Sequence, residues 1–162
     1  LYRVTTDLSS TTVADYTDIS VRAIRVFNGF VYVGGKYSGT DDTVPSVGVW
    51  KNQILSSDGE LGEKELVLDW GELAGVNSNI TGITFDENSA MYISSDANVA
   101  IGLISAEGIF SELFPKIISA PISKMTWGST NYLYLNYRGN PRALYRLDIG
   151  LNGAIYHGRN QR

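Results

Sequence analysis

The 162-residue chain has no cysteine, which excludes a disulfide framework and zinc–thiolate centres. Its single histidine, His157, has no second His or Cys to converge with it, so it reads as a surface or strand-end residue rather than a general base or metal ligand. Lys and Arg number 13 against 17 Asp and Glu, a formal charge of −4 with a pI near 4.9. Basic runs are absent, and with them the electrostatic footprint of a nucleic-acid partner. No apolar run approaches the roughly 20 residues of a membrane helix, and no basic stretch followed by an apolar one opens the chain. The first residue is Leu rather than Met, as expected of a processed protein or an excised fragment.

Catalytic signatures are missing too. There is no Gly-x-Ser-x-Gly elbow to present a nucleophile, and a Ser-His-Asp set is recognised by geometry, on which order alone is silent. Gly34-Gly35 lacks the Lys-Ser/Thr pair and following helix of a phosphate loop. These glycines fit a bulge or a close backbone approach at a strand end. Ser94-Ser95-Asp96-Ala97-Asn98 lacks the glycine and tryptophan of the sialidase pattern. Asp41-Asp42 and Asp86-Glu87-Asn88 offer oxygen ligands for Ca²⁺ without EF-hand spacing. Turn chemistry, in which Asp and Asn side chains bond nearby backbone, is the simpler reading. Paired carboxylates of a glycosidase are a matter of spatial separation and cannot be read from order. On these grounds the sequence predicts a protein that is not an enzyme and needs no cofactor or metal.

What is present is alternation. The hydrophobic fraction of 43% and mean hydropathy of −0.07 are those of a globular chain with one ordinary core. Around Asn28-Gly29, apolar residues alternate from Ala23 to Gly35, and Asn-Gly enters the positive φ of a type I′ hairpin turn at little cost. The design recurs twice. Ile80 to Phe85 and Met91 to Ser94 flank Asp86-Glu87-Asn88-Ser89, and Lys124 to Trp127 and Tyr132 to Asn136 flank Gly128-Ser129-Thr130.

In chain order, Leu1 to Val4 and Thr11 to Tyr16 predict two strands, a half unit over residues 1–18. A first unit, about 21–70, takes strands Val21 to Phe27, Phe30 to Lys36, Val47 to Lys51 and Glu63 to Trp70. The last of these fits a short helix equally well, since Leu61, Leu66, Leu68 and Leu73 among glutamates satisfy both periods. A second unit, 80–115, takes Ile80 to Phe85, Met91 to Ser94, Val99 to Ser105 and Ile109 to Phe114, and Pro115 closes it. A third, 122–159, takes Ile122 to Trp127, Tyr132 to Tyr137, Ala143 to Asp148 and Ala154 to His157. Leu144-Tyr145-Arg146-Leu147 nearly repeats Leu1-Tyr2-Arg3-Val4. Superposing Tyr32, Tyr92 and Tyr134, and Leu1 on Leu144, gives a mean period of about 48, within the range of propeller repeats.

The expected fold is all-β: a propeller-like array of about three four-stranded antiparallel blades plus a half blade, in one repeat domain. Closed propellers have about 4 to 8 blades, so the ring would be completed by a longer chain, by copies of this one or by other subunits. A β-sandwich or barrel is the alternative.

At Asn28-Gly29-Phe30-Val31-Tyr32-Val33-Gly34-Gly35 the first unit resembles a kelch-type blade, with Val47 to Trp50 where that family has its third strand. The second and third units have Ser94-Ser95 and Asn136-Tyr137 in place of the glycines. The resemblance implies stacked four-stranded sheets whose loops make partner surfaces, and no particular activity. In style, a Cys-free β chain rich in Tyr, Ser, Thr, Asn and Gly also looks like a segment of a bacteriophage virion protein, as in a tail. The function expected from these resemblances is a structural or protein-interaction module of such an assembly, virion-borne or extracellular. The alternative is a lectin-like propeller that binds glycans and is closed by oligomerisation.

One surface stands out. Tyr132, Tyr134, Tyr145 and Tyr156 crowd the third unit with Arg138, Arg142 and Arg146, residue types enriched where partners dock. Tyr is also a strong β former, and period 2 sets Tyr132, Tyr134 and Asn136 on the face opposite Leu133, Leu135 and Tyr137.

Overall fold

In the computed structural model, which describes residues 1–4 and 7–155, the fold is all-β with a single helical turn. Strands β1 (Tyr2–Val4) and β2 (Ser10–Thr12) form a two-stranded sheet. Sheet 1 is the meander β3 (Ile19–Phe27), β4 (Phe30–Tyr37), β5 (Val47–Gln53) and β6 (Glu65–Asp69). Its first hairpin turns through Asn28 and Gly29 at φ 46° and 78°, the left-handed pair that a type I′ turn needs. The segment Glu63 to Trp70 is strand from Glu65 to Asp69, and a helix begins at its last residue. β6 ends at Asp69, whose carboxylate accepts from Glu72 N at 2.9 Å and caps α1 (Trp70–Ala74).

Sheet 2 is β7 (Ile80–Phe85), β8 (Met91–Ser95), β9 (Ile101–Ile104) and β10 (Phe110–Glu112). Sheet 3 has three strands, β11 (Ile122–Trp127), β12 (Tyr132–Tyr137) and β13 (Ala143–Asp148). The expected fourth strand, Ala154 to His157, is not formed at Ala154 and Ile155, while Tyr156 and His157 lie outside the described residues. Asn152 to Ala154 turn back toward sheet 2 instead. Ala154 N donates to Phe85 O at 2.9 Å, and the Glu87 carboxylate holds Asn152 N at 3.0 Å and Asn152 Nδ2 at 3.2 Å. Ala154 is buried in the same cluster as Phe85, so apolar contact and hydrogen bonds together draw this segment inward.

The sheets stack face to face, and the cores lie between them. Ala23, Val47 and Val49 of sheet 1 meet Ile80, Ile83, Met91 and Ile93 of sheet 2. Tyr92 and Ile101, from the other face of sheet 2, meet Met125, Trp127, Leu133 and Leu135 of sheet 3. Every residue of β8 is therefore buried, as in a strand covered on both sides. A third cluster joins the N-terminal arm (Leu1, Ala14, Tyr16) to the far face of sheet 1 at Val31, Val33 and Trp50. β3, β7 and β11, the first strand of each sheet, run side by side.

Gly34 shows why a side chain is missing at the first seam. A Cβ there would lie 2.8 Å from Ile80 Cγ2 and 3.0 Å from Ile83 Cδ1. We expect Gly34→Val to lower stability by about 1–3 kcal/mol through overpacking of this seam, read as a fall in the urea midpoint. An unchanged midpoint would show that the two sheets do not approach so closely.

The arm is held by a buried phenol. Tyr16 Oη donates to Asn52 Oδ1 at 2.5 Å, and burial, reinforced by the Asp18 charge, pushes its pKa up to about 12. The folded state thus favours the neutral phenol, whereas the unfolded chain ionises near pH 10. The stabilisation is full below about pH 10 and is lost as pH rises through about 12. Tyr16→Phe should flatten part of this alkaline loss in urea melts, leaving what Tyr32 and Tyr92, both also raised by burial, contribute. An identical pH profile would mean that Tyr16 is not buried by the arm.

Candidate functional site

The first strand of each of the three sheets carries one residue too many. Val21 pairs with Gly35 and Ala23 with Gly34, so Arg22 is unopposed. Ile80 pairs with Ser95 and Gly82 with Ser94, leaving Thr81. Ile122 pairs with Tyr137 and Lys124 with Asn136, leaving Ser123. The bulge thus falls in the same register in all three sheets, and a bulge re-aims the extra side chain. All three re-aimed residues line one cavity of about 640 Å³, together with Asp96, Lys124, Asn136, Arg138 and Arg142.

Hydrogen bonds lock the seams around it. Thr81 Oγ1 donates to Ile122 O across the seam between sheets 2 and 3 at 2.7 Å and shares a hydrogen bond with Ser94 Oγ at 3.0 Å. Ser123 Oγ donates to Asn136 O at 3.1 Å. Between sheets 1 and 2, Arg25 Nη2 donates to Thr84 Oγ1 at 2.9 Å and its Nε to Ile83 O at 3.2 Å. Asp96 accepts from Asn79 N at 2.8 Å and from Asn79 Nδ2 at 3.0 Å.

The cavity's charge runs against that of the chain. Arg22, Lys124, Arg138 and Arg142 are four cations against the single carboxylate of Asp96, in a protein of net charge −4. The only salt bridges among the described residues, Lys51–Glu65 and Lys64–Asp18, lie elsewhere.

The residues singled out from the sequence divide among several places. Arg138 and Arg142 enter the cavity. Tyr132, Tyr134 and Arg146 stand on the outer face of sheet 3, where Tyr134 is paired with Thr126 and Arg146. There the Arg146 guanidinium lies 4.7 Å from the Tyr132 ring centre. Leu133 and Leu135 are buried on the opposite face, as period 2 predicts. Tyr145 points to that inner side, 5.7 Å from Tyr137 between ring centres. Tyr156 and His157 lie outside the described residues. The cluster is therefore no single surface, because β13 sends Tyr145 and Arg146 to opposite faces.

The acidic turns do local work. The Asp41 carboxylate takes Thr43 N at 2.9 Å and Thr43 Oγ1 at 2.6 Å. Buried Asp86 takes Asn88 N and Ala90 N at 2.9 Å each, and Tyr92 Oη at 3.1 Å. Among the described residues, no three His, Cys, Asp or Glu side chains gather as a metal site, and no helix is long and apolar enough to cross a membrane.

No protein-family model and no curated protein matches this chain. Among solved structures it is similar to luciferin-regenerating enzyme, at 15% identity and a TM-score of 0.67. The match covers 94% of this chain and 52% of the other, so the chain spans about half the length of that structure. At this identity the likeness is one of fold. It still corrects the expectation of a protein that is not an enzyme. A protein sharing the fold over nearly the whole chain is named as one, so the lack of sequence motifs does not exclude catalysis.

Thr81→Val keeps the shape of the bulge residue but removes its donor to Ile122 O. We expect a loss of about 1–2 kcal/mol, seen as a lower thermal midpoint; no change would mean that this hydroxyl does not hold the seam between sheets 2 and 3.

Proposed function

We propose that the chain is a segment of a β-propeller, acting as an interaction module in a larger assembly whose further blades complete the ring around the basic cavity. The observation that carries this reading is the bulge repeated in register in β3, β7 and β11. One geometric unit repeated around an axis would give each inner strand the same irregularity and turn it toward the same centre. A two-sheet sandwich gives no reason for three adjacent first strands to share it.

The terminal faces support the same reading. Leu1, Ala14 and Tyr16 of the arm pack over the middle strands of sheet 1, leaving Val31 and Val33 6% and 1% exposed, whereas Ile24 and Val26 on the neighbouring first strand are 52% and 40% exposed. Such a pattern fits a half blade whose two inner strands come from elsewhere. At the other end, Leu144 is 72% exposed on the face that carries Tyr134 and Arg146. The tail-protein expectation rests on composition, and neither the fold nor the comparisons add to it.

By itself the chain should associate through these two faces. Sedimentation of the 162-residue chain is expected to show a concentration-dependent oligomer, weakened at least about tenfold by Ile24→Lys or by Leu144→Lys. A monomer at all concentrations, or an oligomer indifferent to both substitutions, would contradict the proposal.

A further inference from the structure

We infer that the basic cavity binds a small anionic polyol, a sugar bearing a phosphate or a carboxylate. Its cations come from distant parts of the chain: Arg22 from sheet 1, Lys124 from β11, and Arg138 and Arg142 from the loop between β12 and β13. Among the described residues none of these four side chains has an ion-pair or hydrogen-bond partner. Four cations set against a single carboxylate repel on balance, and an oxyanion in their midst reverses the sign of that term. Guanidinium forks suit phosphate and carboxylate oxygens in bidentate geometry.

The hydroxyls narrow the ligand further. Thr81 and Ser123 spend their protons on the carbonyls of Ile122 and Asn136, so what they offer a ligand is lone pairs. Asp96 is likewise an acceptor, already oriented by Asn79. Acceptors set beside cations match a molecule with an anionic head and hydroxyl donors. The volume of about 640 Å³ is that of a small-molecule site. No aromatic ring lines it, so recognition would rest on charge and hydrogen bonds rather than on the tyrosine stacking expected of a lectin.

The inference takes its site from the three described sheets and does not require the ring to close. Calorimetric titration of the chain at low salt, with glucose 6-phosphate, glucuronate, glucose and inorganic phosphate, tests it. At least one of the two anionic sugars should bind at about millimolar or tighter concentration, more tightly than inorganic phosphate, and glucose should give no heat. Which anionic sugar binds better identifies the head group. Replacing Arg22 and Arg138 together by Gln should weaken binding at least about tenfold with the thermal midpoint kept, because both side chains are exposed. Lys124→Gln with Arg142→Gln serves if that pair fails to fold. Silence from both anionic sugars at about 10 mM, or equal binding by a folded double variant, would overturn the assignment. Inorganic phosphate binding as tightly as the sugar phosphate would overturn its polyol part. Sedimentation of the same samples separates this failure from that of the propeller reading, since neither substitution pair touches Ile24 or Leu144.

Discussion

The whole arrangement depends on an extra residue in the first strand of each sheet. A continuous ladder from Ile19 to Phe27 would keep strict alternation, and Arg22 would take its place on one face of the sheet. Because Val21 and Ala23 are paired with consecutive residues of β4, the ladder skips Arg22 and the strand kinks. The same skip at Thr81 and Ser123 bends β7 and β11 alike. Three strands kinked at one level can lie side by side, converge at that level and still present apolar faces to their neighbours below it. The seams then follow: Gly34 admits Ile80 and Ile83, Arg25 bonds to Thr84, and Thr81 bonds to Ile122.

That geometry separates two kinds of surface. Between the sheets, side chains such as Ile93, Leu133 and Leu135 are fully buried and supply the apolar driving force. At the level of the bulges the lining is polar and cationic, because the skipped residues are Arg, Thr and Ser and the loop after β12 adds Arg138 and Arg142. The apolar driving force of the stack and the positive charge of the cavity thus rest on different residues of the same strands, while Thr81 serves both seam and cavity. Substitutions of the exposed cations Arg22, Lys124, Arg138 and Arg142 change the charge of the cavity without touching the apolar seams.

Much of the fold was legible in the sequence. Asn28-Gly29 announced its hairpin because few other pairs enter two left-handed conformations cheaply. The alignment of Tyr32, Tyr92 and Tyr134 proved to be a structural register, since these residues face Arg25, Thr84 and Thr126 at equivalent positions. Glu63 to Trp70 fits both periods because its strand runs straight into the helix at Trp70, and Asp69, the cap between them, sits inside the apolar pattern. The cavity was largely invisible. Proximity in sequence groups Arg138 and Arg142 with tyrosines, whereas only strand pairing brings them close to Arg22, Thr81, Ser123 and Lys124. A faint signal is the glycine pair Gly34-Gly35 opposite Val21 and Ala23, which fits a bulge at that level. Nothing local marked Asn152 to Ala154 as returning to sheet 2, because the contacts with Phe85 and Glu87 span some 65 residues.

The measurement that bears most directly on this account is an amide chemical-shift titration of the isotope-labelled chain with glucose 6-phosphate. If the three bulges converge on one site, the amides of Arg22, Thr81 and Ser123 shift together with a single dissociation constant, while those of Leu144 and Arg146 on the outer face of sheet 3 stay still. Shifts confined to one sheet, or separate constants for the three residues, would contradict it.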